Sequence, residues 1–267
     1  MYPFRRILVP TDFSTASEWA FDEALRLSAE TSAELLVLHV RRTWKDHPDQ
    51  LRFQADESLY EYAEKHELDR MRDRARRAHT SIDLRMVVKQ APTPAKAICE
   101  TAASENVDVI VIATHGRHHV AHILLGSTTR EVIISPPTPL LAIRYGIRKR
   151  ERMARIVVPA HPKQTSQAAV DLAIAMAMRS QAELHLLTVC SEADRTAARA
   201  HMEALVAKAS GVSTKSEIIS GDDIEREIIR YTGRVNGDAI MLNAAGGLSE
   251  LKASIVRHAT VPVMIVP

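Results

Sequence analysis

The chain has 267 residues, 46% of them apolar and 25% charged, the balance of a soluble globular protein with enough length for two ordinary cores. Its 35 basic and 33 acidic side chains leave a net charge of +2, which excludes a general electrostatic pull toward nucleic acid or a membrane surface. Two cysteines, Cys99 and Cys190, supply neither a disulfide framework nor a CxxC metal pair, and no apolar run reaches signal-peptide or membrane-spanning length. A cytoplasmic protein without nucleic-acid or membrane partners is expected.

The predicted elements alternate. Residues 7–10 form a short continuous apolar run, the pattern of a strand buried on both faces of a parallel sheet. Thr11-Asp12-Phe13-Ser14 supplies a turn and caps, and Thr15 with Glu18 has capping-box spacing for a helix over residues 17–31. A second strand is expected over residues 34–40, a helix over 51–79, a strand over 84–88 and a helix opened by Pro94 and running to 103. The basic run from Arg70 to Arg77 alternates with Asp69, Asp73 and apolar Met71, Ala75 and Ala78, as on the solvated side of a helix. A strand over 107–113, a helix over 127–134 and a strand over 139–144 close the unit. Strands alternating with helices imply right-handed crossovers and a doubly wound parallel sheet, with ligands at the carboxyl ends of strands where strand order reverses.

The unit occurs twice. An offset of 149 residues brings Arg6-Ile7-Leu8-Val9-Pro10 onto Arg155-Ile156-Val157-Val158-Pro159, and Ala33-Glu34-Leu35 onto Ala182-Glu183-Leu184. The offset falls to 130 where Asp108 meets Asp238 and Gly116 meets Gly246, and to 123 where Pro139 meets Pro262. Two domains are expected, copy one over residues 1–146 and copy two over 151–267. Their closing strands, residues 140–143 and 261–265, would each be an exposed apolar edge alone, so they are expected side by side as an internal pseudo-dimer. A homodimer of the whole chain is a further expectation.

The chemistry concentrates after the fourth strand, in Ala113-Thr114-His115-Gly116-Arg117, and at Gly126-Ser127-Thr128-Thr129, where a helix begins. Backbone N–H groups at a helix N-terminus, with hydroxyls beside them and no side chain at glycine, form an anion cradle suited to phosphates. Spacing alone equally allows Gly116 and Gly126 to end one element and begin the next.

Taken together, ILVPTDFS, LLVLHV, DVIVIATHGR with a GS pair nine residues after its glycine, and TPLLAIR resemble the universal stress protein family, over nearly the whole chain as a tandem pair. The resemblance implies a five-stranded α/β domain per copy, hence two tandem doubly wound parallel-sheet domains. In one branch of the family it also implies ATP bound through Gly-x-x-Gly-x9-Gly-Ser/Thr. Carried over by position, Ala113 stands at the first glycine, Gly116 at the second and Gly126-Ser127 at the last pair. Asp12 stands at the nucleoside contact, Val40 at the adenine edge, and Thr128 and Thr129 beside the phosphates. Pro10, Thr11, His115 and Arg117 flank these positions. ATP or a related adenine nucleotide, with Mg as an accompanying ion, is the expected ligand, and stress-response regulation the expected role. A positive φ at Ala113 would cost about 1 kcal/mol and weaken binding about fivefold.

Copy two departs further: His161 replaces the acidic residue, Asn243 stands at the first glycine, and Ser249-Glu250 follows Gly246 with the loop seven residues shorter. It is expected to be a scaffold without nucleotide, its core strands persisting over residues 156–159, 184–189, 239–243 and 261–266. Readings from other classes stand beside this one. His115, His118, His119 and His122 crowd one loop, and His118 with His122 has the spacing that turns two imidazoles the same way on a helix, which would suit zinc or nickel. No Gly-x-Ser-x-Gly, HExxH or Walker Gly-Lys-Ser/Thr sequence is present, so a dedicated enzyme is not expected, slow ATP hydrolysis aside. An interaction scaffold that has lost nucleotide is the third reading.

Overall fold

The computed structural model describes residues 2–41, 57–78, 82–115, 125–147, 153–162, 166–244 and 249–267. In copy one, β1 (Arg6–Thr11), α1 (Thr15–Thr31), β2 (Glu34–Arg41), α2 (Glu57–Ala78), β3 (Leu84–Gln90), α3 (Pro94–Ser104), β4 (Val109–Ala113), α4 (Ser127–Ile134) and β5 (Leu140–Ile143) follow one another. Copy two repeats the order with β6 (Arg155–Pro159), α5 (Gln167–Ser180), β7 (Glu183–Cys190), α6 (Arg195–Lys208), β8 (Thr214–Ser220), α7 (Ile224–Arg234), β9 (Ala239–Asn243), α8 (Ser249–His258) and β10 (Val263–Val266).

The strands form one sheet in the order β3-β2-β1-β4-β5-β10-β9-β6-β7-β8. Within each copy every pairing is parallel. The copies join through β5 and β10, which run antiparallel with Met264 opposite Leu141. All eight residues of these two strands are buried, so the two apolar edges cover each other, as expected, without a second chain.

Each face of the sheet carries one core to which both copies contribute. On one face, α1, α2, α5 and α6 bury Phe21, Leu25, Met71, Val170, Met202 and Leu205 against alternate strand residues such as Val9 and Val158. On the other, α3, α4, α7 and α8 bury Ile98, Val132, Ile133, Ile228, Ile255 and Val256 against Leu8, Ile110 and Ile240. Each fully buried aliphatic side chain contributes roughly 1.5–3 kcal/mol, so the continuous apolar strands are what the two-faced burial requires.

Several local expectations change. The cap of α1 is Ser14, whose side chain accepts from Ser17 N, so the helix begins at Thr15 and not near Ser17. Glu18 is consequently not a capping-box partner; it reaches across to Arg70 on α2. The basic side of α2 is a solvated face, with Arg74 on Asp22 and Arg72 on Asp69, while Met71 and Ala75 are buried and Ala78 is exposed at the helix end. Copy two keeps a fifth strand, β8, although TKSEIIS contains no apolar run of strand length. It lies at the sheet edge, where a polar outer face is compatible with pairing on one side only. Between β7 and α6 there is only a short 3-10 turn, Glu192–Asp194, and this is where the offset between the copies contracts. Cys99 and Cys190 are free, and burial raises the pKa of both thiols. Among the described residues no helix is long and apolar enough to cross a membrane.

Candidate functional site

Strand order reverses between β1 and β4 in copy one and between β6 and β9 in copy two, which makes the carboxyl ends of these strands the places where a crevice opens. β1 and β4 pair with Ile7 opposite Val109 and Leu8 opposite Ile110, and their carboxyl ends, Thr11 and Ala113, lie beyond the paired residues.

On the β1 side, Pro10 and Thr11 are buried at the strand end. Thr11 Oγ1 accepts from Phe13 N at 3.0 Å, and half-buried Asp12 accepts at Oδ1 from Ser14 N at 3.1 Å and Ser14 Oγ at 2.6 Å. This Asx-type turn holds the Asp12 carboxylate at the mouth of the crevice and caps α1 in the same stroke. Phe13 sits at φ 61°, a left-handed backbone that a non-glycine side chain adopts only when its surroundings compensate. The compensation is visible: its ring lies over His39, centroids 4.4 Å apart. Val40 stands one residue beyond the last β1–β2 pair, Thr11 with His39, where β1 has left the sheet.

On the β4 side, Ala113 is a strand residue packed into the core beneath α1 and is not among the positive-φ positions. The backbone penalty that a glycine-requiring conformation would impose there is therefore absent. Thr129 Oγ1 donates to Ala113 O at 2.7 Å, and Gly126 N donates to Thr114 O at 2.9 Å, so the first turn of α4 is tied to the strand end. Gly126 is the N-cap of α4, at φ −61° and ψ 144°, and contributes no side-chain cap. The first-turn N–H groups of Ser127, Thr128 and Thr129 have no acceptor within the helix, which is the arrangement that favours an anion. His115 lies at the start of the loop with Nδ1 2.7 Å from Thr114 Oγ1. Gly116, Arg117, His118, His119 and His122 lie outside the described residues, so of the histidines proposed for a metal His115 alone is described. Among the described residues no group of three or more His, Cys, Asp or Glu is placed to hold a metal ion.

Beneath this crevice lies a polar network that the sequence did not announce. His39 Nδ1 donates to Thr11 O at 2.8 Å, the carbonyl being able only to accept, and its Nε2 faces Glu64 Oε2 at 3.6 Å. Glu64, itself buried, takes two bonds from Arg41, at 2.6 and 2.7 Å, and this pairing holds the guanidinium pKa above its ordinary value. The network joins the end of β1 to α2. Its one sequence signal is a lone histidine inside the apolar run LLVLHV; Glu64 is hidden in a helix of mostly charged residues.

The equivalent crevice of copy two is built differently at each of these points. Position 162, opposite Phe13, is proline, whose ring fixes φ near −65° and cannot reproduce the left-handed turn. α5 accordingly starts three positions later than α1 in the repeat, after Ser166, which makes no side-chain cap. Thr188 replaces His39 and donates to Ala160 O. Lys252 replaces Thr129 and donates to Ala244 O. Glu250, at the position of Ser127 in copy one, is exposed and paired with Arg130 of α4 at 2.5 Å. A separate concavity of about 360 Å3 lies between α1 and α5, lined by Tyr2, Leu27, Met153 and Met176. It is remote from both strand-end crevices, and the cations that line it are already engaged, Arg26 with Glu23 and Glu30 and Arg179 with the Glu30 carbonyl, so the chemistry does not point there.

A family model describing the universal stress protein family matches residues 3–144 and again 153–267. A universal stress protein of Thermus aquaticus is 32% identical over 144 residues, covering 53% of this chain and 99% of that protein. One of Methanocaldococcus jannaschii is 27% identical over 154 residues, covering 53% of this chain and 95% of its own. Among solved structures, a universal stress protein from Archaeoglobus fulgidus superposes with a TM-score of 0.75 at 23% identity, covering 98% of this chain and 95% of that one, which bears on the fold alone.

Proposed function

The chain belongs to the universal stress protein family, and from that premise we propose that copy one binds ATP or a related adenine nucleotide and that its occupancy serves as a regulatory state in a cytoplasmic stress response. The observation that carries this reading is the opposition, across the β1/β4 switch point, of the anchored Asp12 carboxylate and the uncapped start of α4 at Gly126. A carboxylate accepts hydroxyl groups of a ribose, and an uncapped helix start with Ser127, Thr128 and Thr129 accepts phosphates. Mg, where it accompanies the nucleotide, would meet the phosphates and not a protein cage. Copy two, over about residues 151–267 against 1–146 for copy one, is a scaffold that completes the internal pair. The protein is not a dedicated enzyme in this reading. Isothermal calorimetry of ATP into the purified chain, with analysis of a denatured extract for adenine nucleotide, tests it: no binding at millimolar ATP and no retained nucleotide would leave a nucleotide-free interaction scaffold.

A further inference from the structure

Copy two is not simply a copy with its ligand chemistry erased. Lys252, in the first turns of α8, is 5% exposed. Helical side chains lean toward the helix N-terminus, and the Lys252 ammonium does so, donating to Ala244 O just past the end of β9. An ammonium has three donors. Among the described residues no carboxylate pairs with Lys252: Glu250 in the same turn is turned outward to Arg130. Burial pulls the lysine pKa below its ordinary value. A desolvated cation is thus held at the positive pole of a helix, two like electrostatic features side by side without an anion. The same position in copy one is Thr129, a neutral hydroxyl that needs no counter-charge.

We propose that the strand-end crevice of copy two is a site for a small tetrahedral oxyanion of the phosphate or sulfate class, held by the Lys252 ammonium and the N-terminal N–H groups of α8. The ligand class follows from size as much as charge. Copy one connects β4 to α4 through residues 114–126, whereas copy two connects β9 to α8 through residues 244–248. The shorter connection leaves no chain to wrap a nucleotide, and Pro162 denies the β6 side the turn that presents Asp12 in copy one. What remains is one buried cation beside one helix start, enough for a single oxyanion. The site is independent of nucleotide binding in copy one.

The full-length protein labelled with 13C and 15N at the lysine side-chain termini reports on this site alone, the Lys252 signal being identified by its loss in Lys252→Met. Titration with inorganic phosphate at constant ionic strength should move that signal saturably and raise the pH at which Lys252 titrates. Sulfate should do the same, and chloride should not. Lys252→Met, a replacement of similar length that removes a buried charge, should take up one phosphate fewer per chain than the wild type. Saturating ATP should leave the Lys252 response to phosphate intact. An unmoved Lys252 signal in the wild type, an equal response to chloride, or loss of the phosphate response once ATP is present would each overturn the proposal, the last by making the nucleotide itself the ligand.

Discussion

The two copies agree at the amino ends of their strands and part company at the carboxyl ends. At the amino ends, Asp108 Oδ2 accepts from Arg5 N and Arg6 N at 2.7 and 2.9 Å, and Asp238 Oδ2 accepts from Ala154 N and Arg155 N at 2.7 and 2.8 Å. The left-handed residues after the first helix, Ser32 and Gln181, and after the third, Asn106 and Asn236, recur as well. At the carboxyl ends nearly every side chain differs: Asp12 against His161, Phe13 against Pro162, His39 against Thr188, Thr129 against Lys252. Parallel sheets bind ligands at one end only, so the other end is free to specialise in holding the strands together. A duplicated fold that diverges on one rim and not the other has kept its architecture and changed its chemistry.

If that division is right, variants at the amino ends should act alike in both copies. Asp108→Ala and Asp238→Ala each strand two backbone N–H groups that bonded to a carboxylate, and each should cost about 3 kcal/mol in urea denaturation. A large loss in one copy with none in the other would break the equivalence. At the carboxyl ends the two copies should respond differently. Asp12→Ala should weaken ATP about tenfold by calorimetry, an effect of about 1.4 kcal/mol, while His161→Ala should leave ATP binding unchanged. Ser14→Ala removes a cap that bonds Ser17 N and also deprives Asp12 of a partner, and should cost about 1 kcal/mol of stability. Its counterpart Ser166→Ala, which loses no side-chain cap bond, should cost only a few tenths.

The smallest contrast is one of pH. Copy two carries His185 where copy one has Leu36, and burial depresses the His185 pKa, an effect that nearby Glu183 only partly opposes. The ring lies 3.0 Å from Tyr231 Oη on one side. Its contact with Glu183, also 3.0 Å, is not aligned as a hydrogen bond. Because the folded state holds the proton less readily than the unfolded state, this contribution is present above the unfolded value near 6.5 and is lost as pH falls through that value toward the folded one. His185→Leu should flatten the stability profile between pH 7 and 5.5, and an unchanged slope would assign the dependence to other groups.

Much of this was legible in the residues. The apolar runs of β1, β2, β4 and β5 and their repeats at residues 155, 184, 239 and 263 are readable because strands buried on both faces cannot afford polar interruptions. β8 was not readable, since an edge strand such as TKSEIIS is polar on its open side. The start of α1 was misplaced by two residues because Ser14, Thr15 and Ser17 all suit a cap, and only the Asp12 turn selects Ser14. At the candidate site, the spacing of the glycine and serine at the start of α4 suggested an anion cradle, and Asp12 was marked only by the family resemblance. His39 and Glu64 were not, because their partnership spans β2 and α2 and no periodicity links them. Lys252 carries no sequence signal of its own; its burial and its bond to the carbonyl past the end of β9 appear only in the fold.

The number of nucleotides bound per chain tests the division of labour most directly. Calorimetric titration of ATP should saturate at one per chain, and Gly126→Val, made at a backbone conformation open to any residue, should bind none while unfolding at the same urea concentration. A stoichiometry of two, or full binding by Gly126→Val, would contradict the account by giving copy two a nucleotide site of its own.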